Sequence, residues 1–145
     1  MVSRGRLFDV LDHDGFVAVS DGKWIGYATY DVVGDELEVT VLESFTSRRG
    51  VGSALLAACV GVALEGGLGR VCVVTTNDNV HALRFYQRRG FVMAALRRDA
   101  VTEARRTLKP EIPLLGVDDV PIRDEIELDL SRSEWDSFVA RYGWR

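Results

Sequence analysis

The sequence predicts an α/β fold built on a mixed sheet: an antiparallel meander, then strand, helix, strand, helix, strand, with a C-terminal strand and a short helix. Three observations predict it. Apolar residues alternate along the strand-like runs between Phe16 and Glu43, the period changes to about 3.6 from Val51 onward, and a β-branched run from Arg70 to Thr76 separates two stretches of helical periodicity. A meander followed by alternating strands and helices means a sheet with helices packed on it. At 145 residues and 47% hydrophobic composition, residues 1–145 are expected to form one domain with one core.

Phe16-Val17-Ala18-Val19-Ser20 reads as a strand stopped by Asp21-Gly22, a pair suited to a two-residue hairpin because it tolerates positive φ. Trp24 to Val33 resumes as a strand rich in aromatic and β-branched residues, and Gly34-Asp35 makes the second turn. From Glu36, residues Leu37, Val39 and Val41 fall on one side and Glu38 and Thr40 on the other, the pattern of a half-buried strand with one polar face. Val51, Leu55, Cys59 and Val62, with Ala54 and Ala58 beside them, then form a small apolar stripe on a helix that ends at Gly66-Gly67.

The continuous run from Arg70 to Thr76 suits a strand buried on both faces. A second helix, about Val80 to Arg89, ends at Gly90, placed as a left-handed C-cap glycine, and Phe91 to Leu96 is another strand. Lys109-Pro110 and Ile112-Pro113 break any helix running from Asp99. Ile122 to Leu130 alternates as a strand, with Ile122, Ile126, Leu128 and Leu130 as its apolar members. Ser133-x-x-Asp136 resembles a capping box, and Trp135, Phe138, Val139 and Tyr142 at i, i+3, i+4 and i+7 give the terminal helix an aromatic face that should dock on the core.

Composition narrows the function classes. With 28% charged residues and a formal charge of −4, the chain reads as an ordinary globular protein with no disorder signal. Its best apolar stretch, Val51 to Leu64, is interrupted by Gly52, Ser53 and Gly61, short of the roughly 18 residues of a bilayer span. Arg4, Arg6 and Asp9 leave no secretory h-region, so a cytoplasmic location is expected. Cys59 and Cys72 read as buried reduced thiols, because neither lies in a C-x-x-C or has a histidine at ligand spacing, and no metal is expected. Arg84 to Lys109 carries eight basic residues against Asp99 and Glu103, while Pro110 to Arg145 carries nine acidic residues against four basic. Such a run most often faces solvent or pairs with an acidic partner segment, and a pI of about 5.2 argues against nucleic acid as a ligand.

Chemistry concentrates in two blocks. Between the third strand and the first long helix lies Ser47-Arg48-Arg49-Gly50-Val51-Gly52-Ser53, whose glycines allow a tight turn and uncover the first N–H groups of the helix for an anionic phosphate. A plain tight turn is the alternative; a dinucleotide fingerprint is excluded because Leu55 stands where the third glycine belongs. The second block is Asn79-x-x-Ala82-x-x-Phe85-Tyr86-x-x-x-Gly90-Phe91. Together, in this order and at this separation, the two blocks resemble the GNAT superfamily of acetyl-CoA-dependent N-acetyltransferases over residues 42 to 92. Its first block runs Arg/Gln-x-x-Gly-x-Gly/Ala and its second Asn-x-x-Ala-x-x-Phe-Tyr-x-x-x-Gly-Phe.

The resemblance implies a GNAT-like fold and acetyl-CoA as co-substrate. Backbone N–H groups of Arg48, Arg49, Gly50, Val51, Gly52 and Ser53 would hold the pyrophosphate, and Leu42 and Glu43 would lie along the pantetheine arm. Asn79 would bond the cofactor or fix the strand splay beside it, and Tyr86 would protonate the departing thiolate. The family's Arg/Gln falls on Ser47 here, leaving Arg48 or Arg49 to supply the charge. Glu43 is preferred over Glu38 as the base for the amine, directly or through water; a solvated strand face is the alternative for either. His81 reads as a surface residue and His13 as loop, neither with a Ser or Cys partner.

The expected reaction is transfer of the acetyl group to a primary amine, on a small molecule or a peptide, with no nucleic-acid or membrane partner and a homodimer left open. A non-catalytic acyl-CoA-binding sensor is the rival, and a nucleic-acid binder using Arg97 to Lys109 a third reading. In the family, two helices before the meander wall the acceptor site; about fifteen residues precede Phe16 here. The wall is therefore expected from the segment Pro110 to Leu130, from a second subunit, or from nothing. Asp124 and Glu125, on opposite faces of an alternating strand, would offer one carboxylate to a cationic amine or else solvate an edge strand.

Overall fold

The computed structural model describes residues 1–46 and 50–144. Its strands are β1 (Val2–Ser3), β2 (Arg6–Leu7), β3 (Asp14–Ser20), β4 (Lys23–Val33), β5 (Glu36–Ser44), β6 (Arg70–Thr76), β7 (Val92–Arg97) and β8 (Glu125–Leu130). Its helices are α1 (Val51–Glu65), α2 (Val80–Arg88), α3 (Ala100–Thr107) and α4 (Trp135–Tyr142). Strands β3 to β8 form a mixed six-stranded sheet in the order β3-β4-β5-β6-β8-β7, and β1 with β2 makes a separate hairpin. The α/β architecture read from the sequence is present; α3 and the β1–β2 hairpin add to it. The chain divides into two compact units, Val10–Cys72 with Leu130–Arg145, and Met1–Asp9 with Val73–Asp129.

In the first unit, Asp21 and Gly22 both take positive φ (51° and 75°), the backbone a two-residue hairpin requires between β3 and β4. The β4–β5 ladder contains a bulge: Thr29 faces Val41, but the next residue, Tyr30, faces Val39, so β5 carries one extra residue at Thr40. Because paired residues share a face, Val41 lies opposite Val39 and Leu37, which corrects the uninterrupted alternation expected for this strand. The polar face is not solvated either, since Glu38 and Thr40 are as buried as their apolar neighbours.

Helix α1 packs on β3, β4 and β5 and receives α4. Its approach to the sheet requires Gly26: a Cβ there would stand 2.7 Å from the Glu43 carbonyl and 3.0 Å from Val51 Cγ1. The helix is covered on more than one stripe, with Leu56, Ala57, Val60 and Ala63 buried beside Val51, Leu55 and Cys59, while Val62 is only half-buried. Helix α4 buries Trp135 and Phe138, and Trp135 Nε1 donates to the Leu130 carbonyl at 2.9 Å. The expected capping box does not form: α4 starts at Trp135 without a side-chain cap, and the Ser133 hydroxyl faces that of Ser131 at 3.2 Å. Both cysteines are free and buried; Cys72 Sγ donates to Glu36 at 2.8 Å, and burial pushes the Cys59 thiol up to about 12.

In the second unit, β8 pairs antiparallel with β7, with β6 as its other neighbour in the sheet order. It begins at Glu125 rather than Ile122 because Asn77 captures the preceding chain. The Asn77 Oδ1 accepts from the N–H groups of Arg123 and Asp124, both at 2.9 Å, and its Nδ2 donates to the Pro121 carbonyl at 2.8 Å. The proline loop is organised by Arg105, whose guanidinium donates to the carbonyls of Ile112, Pro113 and Ile122. Part of the basic run is thereby absorbed in the fold, and part pairs with the acidic tail, as Arg97 does with Glu125 (2.7 Å) and Glu127 (3.0 Å). Among the described residues no helix is long and apolar enough to cross a membrane.

Candidate active site

Helix α1 opens behind Gly50, which sits at φ 91° and ψ −9°, with no side-chain cap and no acidic residue in the first turn. A helix of 15 residues leaves its first N–H groups without intrahelical partners and concentrates positive charge at that end. Among the described residues no side-chain oxygen caps this start and no carboxylate lies in its first turn, the form of an anion site. Gly52 is half-buried, and Val51 and Ser53 are buried. Arg48 and Arg49, with Ser47, lie outside the described residues. At the end of β5, Leu42 pairs with Ala28 and shares its face, whereas Glu43 pairs with Tyr27 on the other face and is exposed.

The second block is organised by helix-end chemistry. Asn79 is the N-cap of α2, its Oδ1 accepting from the Ala82 N–H at 3.1 Å. At the other end Gly90 takes φ 97°. The Phe91 N–H reaches back to the Tyr86 carbonyl (3.0 Å) and the Gly90 N–H to that of Gln87 (3.1 Å), the two bonds of a Schellman motif. That closure folds the Phe91 ring onto Tyr86, with centroids 5.6 Å apart, while Phe85 meets Tyr86 edge-on at 5.4 Å. Arg89 lies over the Phe85 ring at 3.7 Å and donates to the Phe85 carbonyl. Tyr86 is thus a buried phenol with its ring direction set by its neighbours. His81 is exposed on the same helix.

On the face of the meander away from α1, the structure assembles a polar group that the sequence reading missed. His13 Nδ1 lies 3.0 Å from Thr40 Oγ1, which lies 2.8 Å from Thr29 Oγ1, and His13 Nε2 is 3.8 Å from Asp31 Oδ2. Asp31 pairs directly with Glu38, which places that buried carboxylate on the same face. His13 and Thr40 are 27 positions apart, and only the bulge turns Thr40 toward the histidine; no local pattern announces it.

Asp124 and Glu125 do not behave as expected. Both are buried, and β8 is not an edge strand, so neither an open acceptor carboxylate nor a solvated edge describes them. Asp124 accepts from Arg123 and from the Asp99 N–H, and these hold its carboxyl below the usual carboxylate range. Glu125 accepts the Arg4 N–H on both oxygens at 3.2 Å, as well as Arg97. The proline-rich segment does line a cavity of about 230 Å³, in which Ile112 and Ile122 meet Ala100, Val101 and Ala104 of α3.

Residues 4–91 match the Acetyltransferase (GNAT) family. The chain belongs to this family. It is 45% identical over 127 residues to the uncharacterized protein YdhI of Bacillus subtilis (strain 168), covering 87% of this chain and 79% of that protein. Among solved structures, a GNAT family acetyltransferase from Elizabethkingia anophelis with acetyl-CoA bound superposes with a TM-score of 0.72 at 16% identity, over 83% of this chain and 77% of that one. A Bacillus subtilis acetyltransferase in complex with CoA gives 0.71 at 18% identity, over 84% and 78%. At these identities the likeness establishes the GNAT fold. Both of these structural neighbours hold the coenzyme.

Proposed function

We propose that this chain is an N-acetyltransferase that moves the acetyl group of acetyl-CoA directly to a primary amine. The observation that carries the proposal is the open start of α1: an uncapped 15-residue helix behind a left-handed glycine, at the end of a bulged strand, in a chain of this family. The N–H groups from Gly50 to Ser53 would hold the pyrophosphate, with Arg48 and Arg49 adding charge, and Leu42 and Glu43 would flank the pantetheine arm. A capping oxygen satisfies Asn79's helix, so its part is to hold α2 rather than to bond the coenzyme.

The chemistry is direct. The neutral amine attacks the thioester carbonyl, the C–N bond forms and the C–S bond breaks, and the amine gives up one proton while the leaving thiolate takes one. Holding the amine at the carbonyl supplies most of the acceleration, of the order of 7–11 kcal/mol. Tyr86, a phenol with reference pKa about 10, is assigned the proton to sulfur. Glu43 is assigned the amine proton, directly or through water, with Glu38 as the alternative on the same strand.

Release of CoA thiol, followed against a panel of alkylamines, polyamines, amino acids and a lysine peptide, tests the reading. Turnover with any of them is expected. Acetyl-CoA binding by calorimetry without thiol release from any amine would instead support the acyl-CoA sensor.

A further inference from the structure

We infer that the outer edge of β3 is the interface between two copies of this chain, paired antiparallel with Val17 on the two-fold axis. This goes beyond the transferase reading, since it concerns assembly and stands whether or not the chain turns over an amine.

Strand β3 is the last of the sheet, with β4 as its one neighbour in the sheet order. Among the described residues, Gly15, Phe16, Val17, Ala18 and Val19 form no backbone hydrogen bond outside the β3–β4 ladder. The N–H and C=O groups of successive residues point to opposite sides of a strand, so about half of theirs face away from β4. Proteins guard such an edge with a lysine, a proline or a bulge, and these five residues hold no charge and no proline. The one irregularity of the ladder, between Ala18 and Val19, puts its extra residue, Ile25, on β4 and leaves β3 regular.

The edge is complementary to itself. Antiparallel pairing about Val17 uses all seven residues from Asp14 to Ser20, with Phe16 opposite the partner's Ala18 and Val19 opposite the partner's Gly15. Asp14 is the one charged residue of β3, so no like charges meet across the pairing. It faces the partner's Ser20, and Ser20 is itself paired with Lys23 on β4. Asp14 of one copy therefore lies in one row with Ser20 and Lys23 of the other, on one face. The aspartate and lysine Cα atoms in that row are roughly 10 Å apart, within reach of a lysine side chain. Both side chains belong to exposed residues, and the two-fold axis makes the pair twice.

Apolar surface follows the same edge. Val17 is 43% exposed and Val19 53%, on the sheet face where Trp24, paired with Val19, is 65% exposed. Pairing sets Val17 against its own counterpart. On the other face an apolar cavity of about 290 Å³ lies between Phe16, Ala18 and Ile25 of the sheet and Ala54, Leu55 and Ala58 of α1. The partner's Phe16, opposite Ala18, stands on the cavity's side of the sheet.

Sedimentation velocity of the full chain, over a hundredfold range of concentration up to about 200 µM, reads the assembly. Expected at the upper end is a species of twice the 16.1 kDa chain mass. Val17→Lys sets two ammonium groups against each other on the axis, and should leave the chain monomeric at every concentration with a native circular dichroism spectrum. Val17→Cys reads the register. Opposed Cα atoms lie about 4.5–5.5 Å apart, within disulfide range, so mild oxidation should give a covalent dimer. Val19→Cys should not cross-link, because its counterpart lies about 13 Å away along the strand. Cys59 and Cys72 are buried and do not compete. A native chain that stays monomeric throughout overturns the inference, as does a dimer that persists in Val17→Lys or one that cross-links at Val19→Cys and not at Val17→Cys. The native mass and the Val17→Cys cross-link decide the matter even if Val17→Lys does not fold.

Discussion

Helices α1 and α2 both follow strands of the same sheet, and both end in the same way. Gly67 and Gly90 take positive φ, and in each case the following N–H reaches back to close a Schellman motif, Leu68 to Ala63 and Phe91 to Tyr86. Their starts differ. Asn79 turns its side chain onto the Ala82 N–H and completes α2 internally, whereas Gly50 has no side chain to offer and α1 begins uncapped. A helix that satisfies its own donors is structural at that end. One that starts without a side-chain cap in a 15-residue dipole concentrates positive charge at that end, which favours an anion there. On the proposed function the two motif blocks of the family do separate jobs: the first would leave a helix start for the coenzyme, and the second would use a closed helix to hold one phenol at its far end.

The sharpest test of that division is Tyr86→Phe. If the phenol protonates the thiolate, kcat should fall by roughly 10²–10⁴-fold while acetyl-CoA affinity measured by calorimetry stays within a factor of two or three. Near-native kcat would reduce α2 to packing and leave α1 as the functional helix of the pair.

Next in size is Gly50→Val. A β-branched residue at φ 91° is strained, and it would displace the N–H groups behind it. With charge-assisted hydrogen bonds at about 1.5–3 kcal/mol each, losing one should weaken acetyl-CoA binding by roughly 10–100-fold, and the circular dichroism spectrum should remain native. Unchanged affinity would show that the open start of α1 is not the phosphate site.

How much of this was legible in the sequence follows the range of the interactions. The hairpin at Asp21-Gly22, the helix stop at Gly66-Gly67 and the left-handed Gly90 are local steric facts, and each stands where the residues placed it. The terminal aromatic face also docked as expected, on α1. What was not legible depends on distant partners. Thr40 reads as one more polar residue in an alternating strand until the β4 register makes it a bulge. Glu125 reads as half of a solvated pair until the Arg4 N–H and Arg97 close on it, and Arg4 can do so only through a turn at φ 50° that the dipeptide Arg4-Gly5 hardly advertises. Asn79 is the instructive middle case. Its position in the block was plain, but its cap to Ala82 competes with the cofactor role that the block implied.

Gly90→Ala probes the shared device at the helix ends. Forcing a Cβ into the left-handed region costs about 1–2 kcal/mol, to be read as a lower unfolding free energy in urea. Because the same closure seats Phe91 on Tyr86, kcat should fall with it, which the equivalent change Gly67→Ala on α1 should not produce. Equal kcat in the two variants would mean that the Schellman closure does not position the phenol.

Asn79→Ala should have the smallest effect and separates the helix starts most directly. Removing the N-cap oxygen leaves the Ala82 N–H without its side-chain acceptor, which costs about 1 kcal/mol of stability, and Asn79→Asp or Asn79→Ser should restore most of it because either can cap. Acetyl-CoA affinity should be almost unmoved in all three variants, since the oxygen already has its partner within α2. If Asn79→Ala instead weakens acetyl-CoA binding tenfold with no loss of stability, and the capping substitutes do not rescue it, then the Asn79 amide contacts the coenzyme and both helix starts serve the ligand. The contrast between an open α1 and a closed α2 would then hold only for the protein without its co-substrate, and the cap would be a resting arrangement that binding exchanges for a better one.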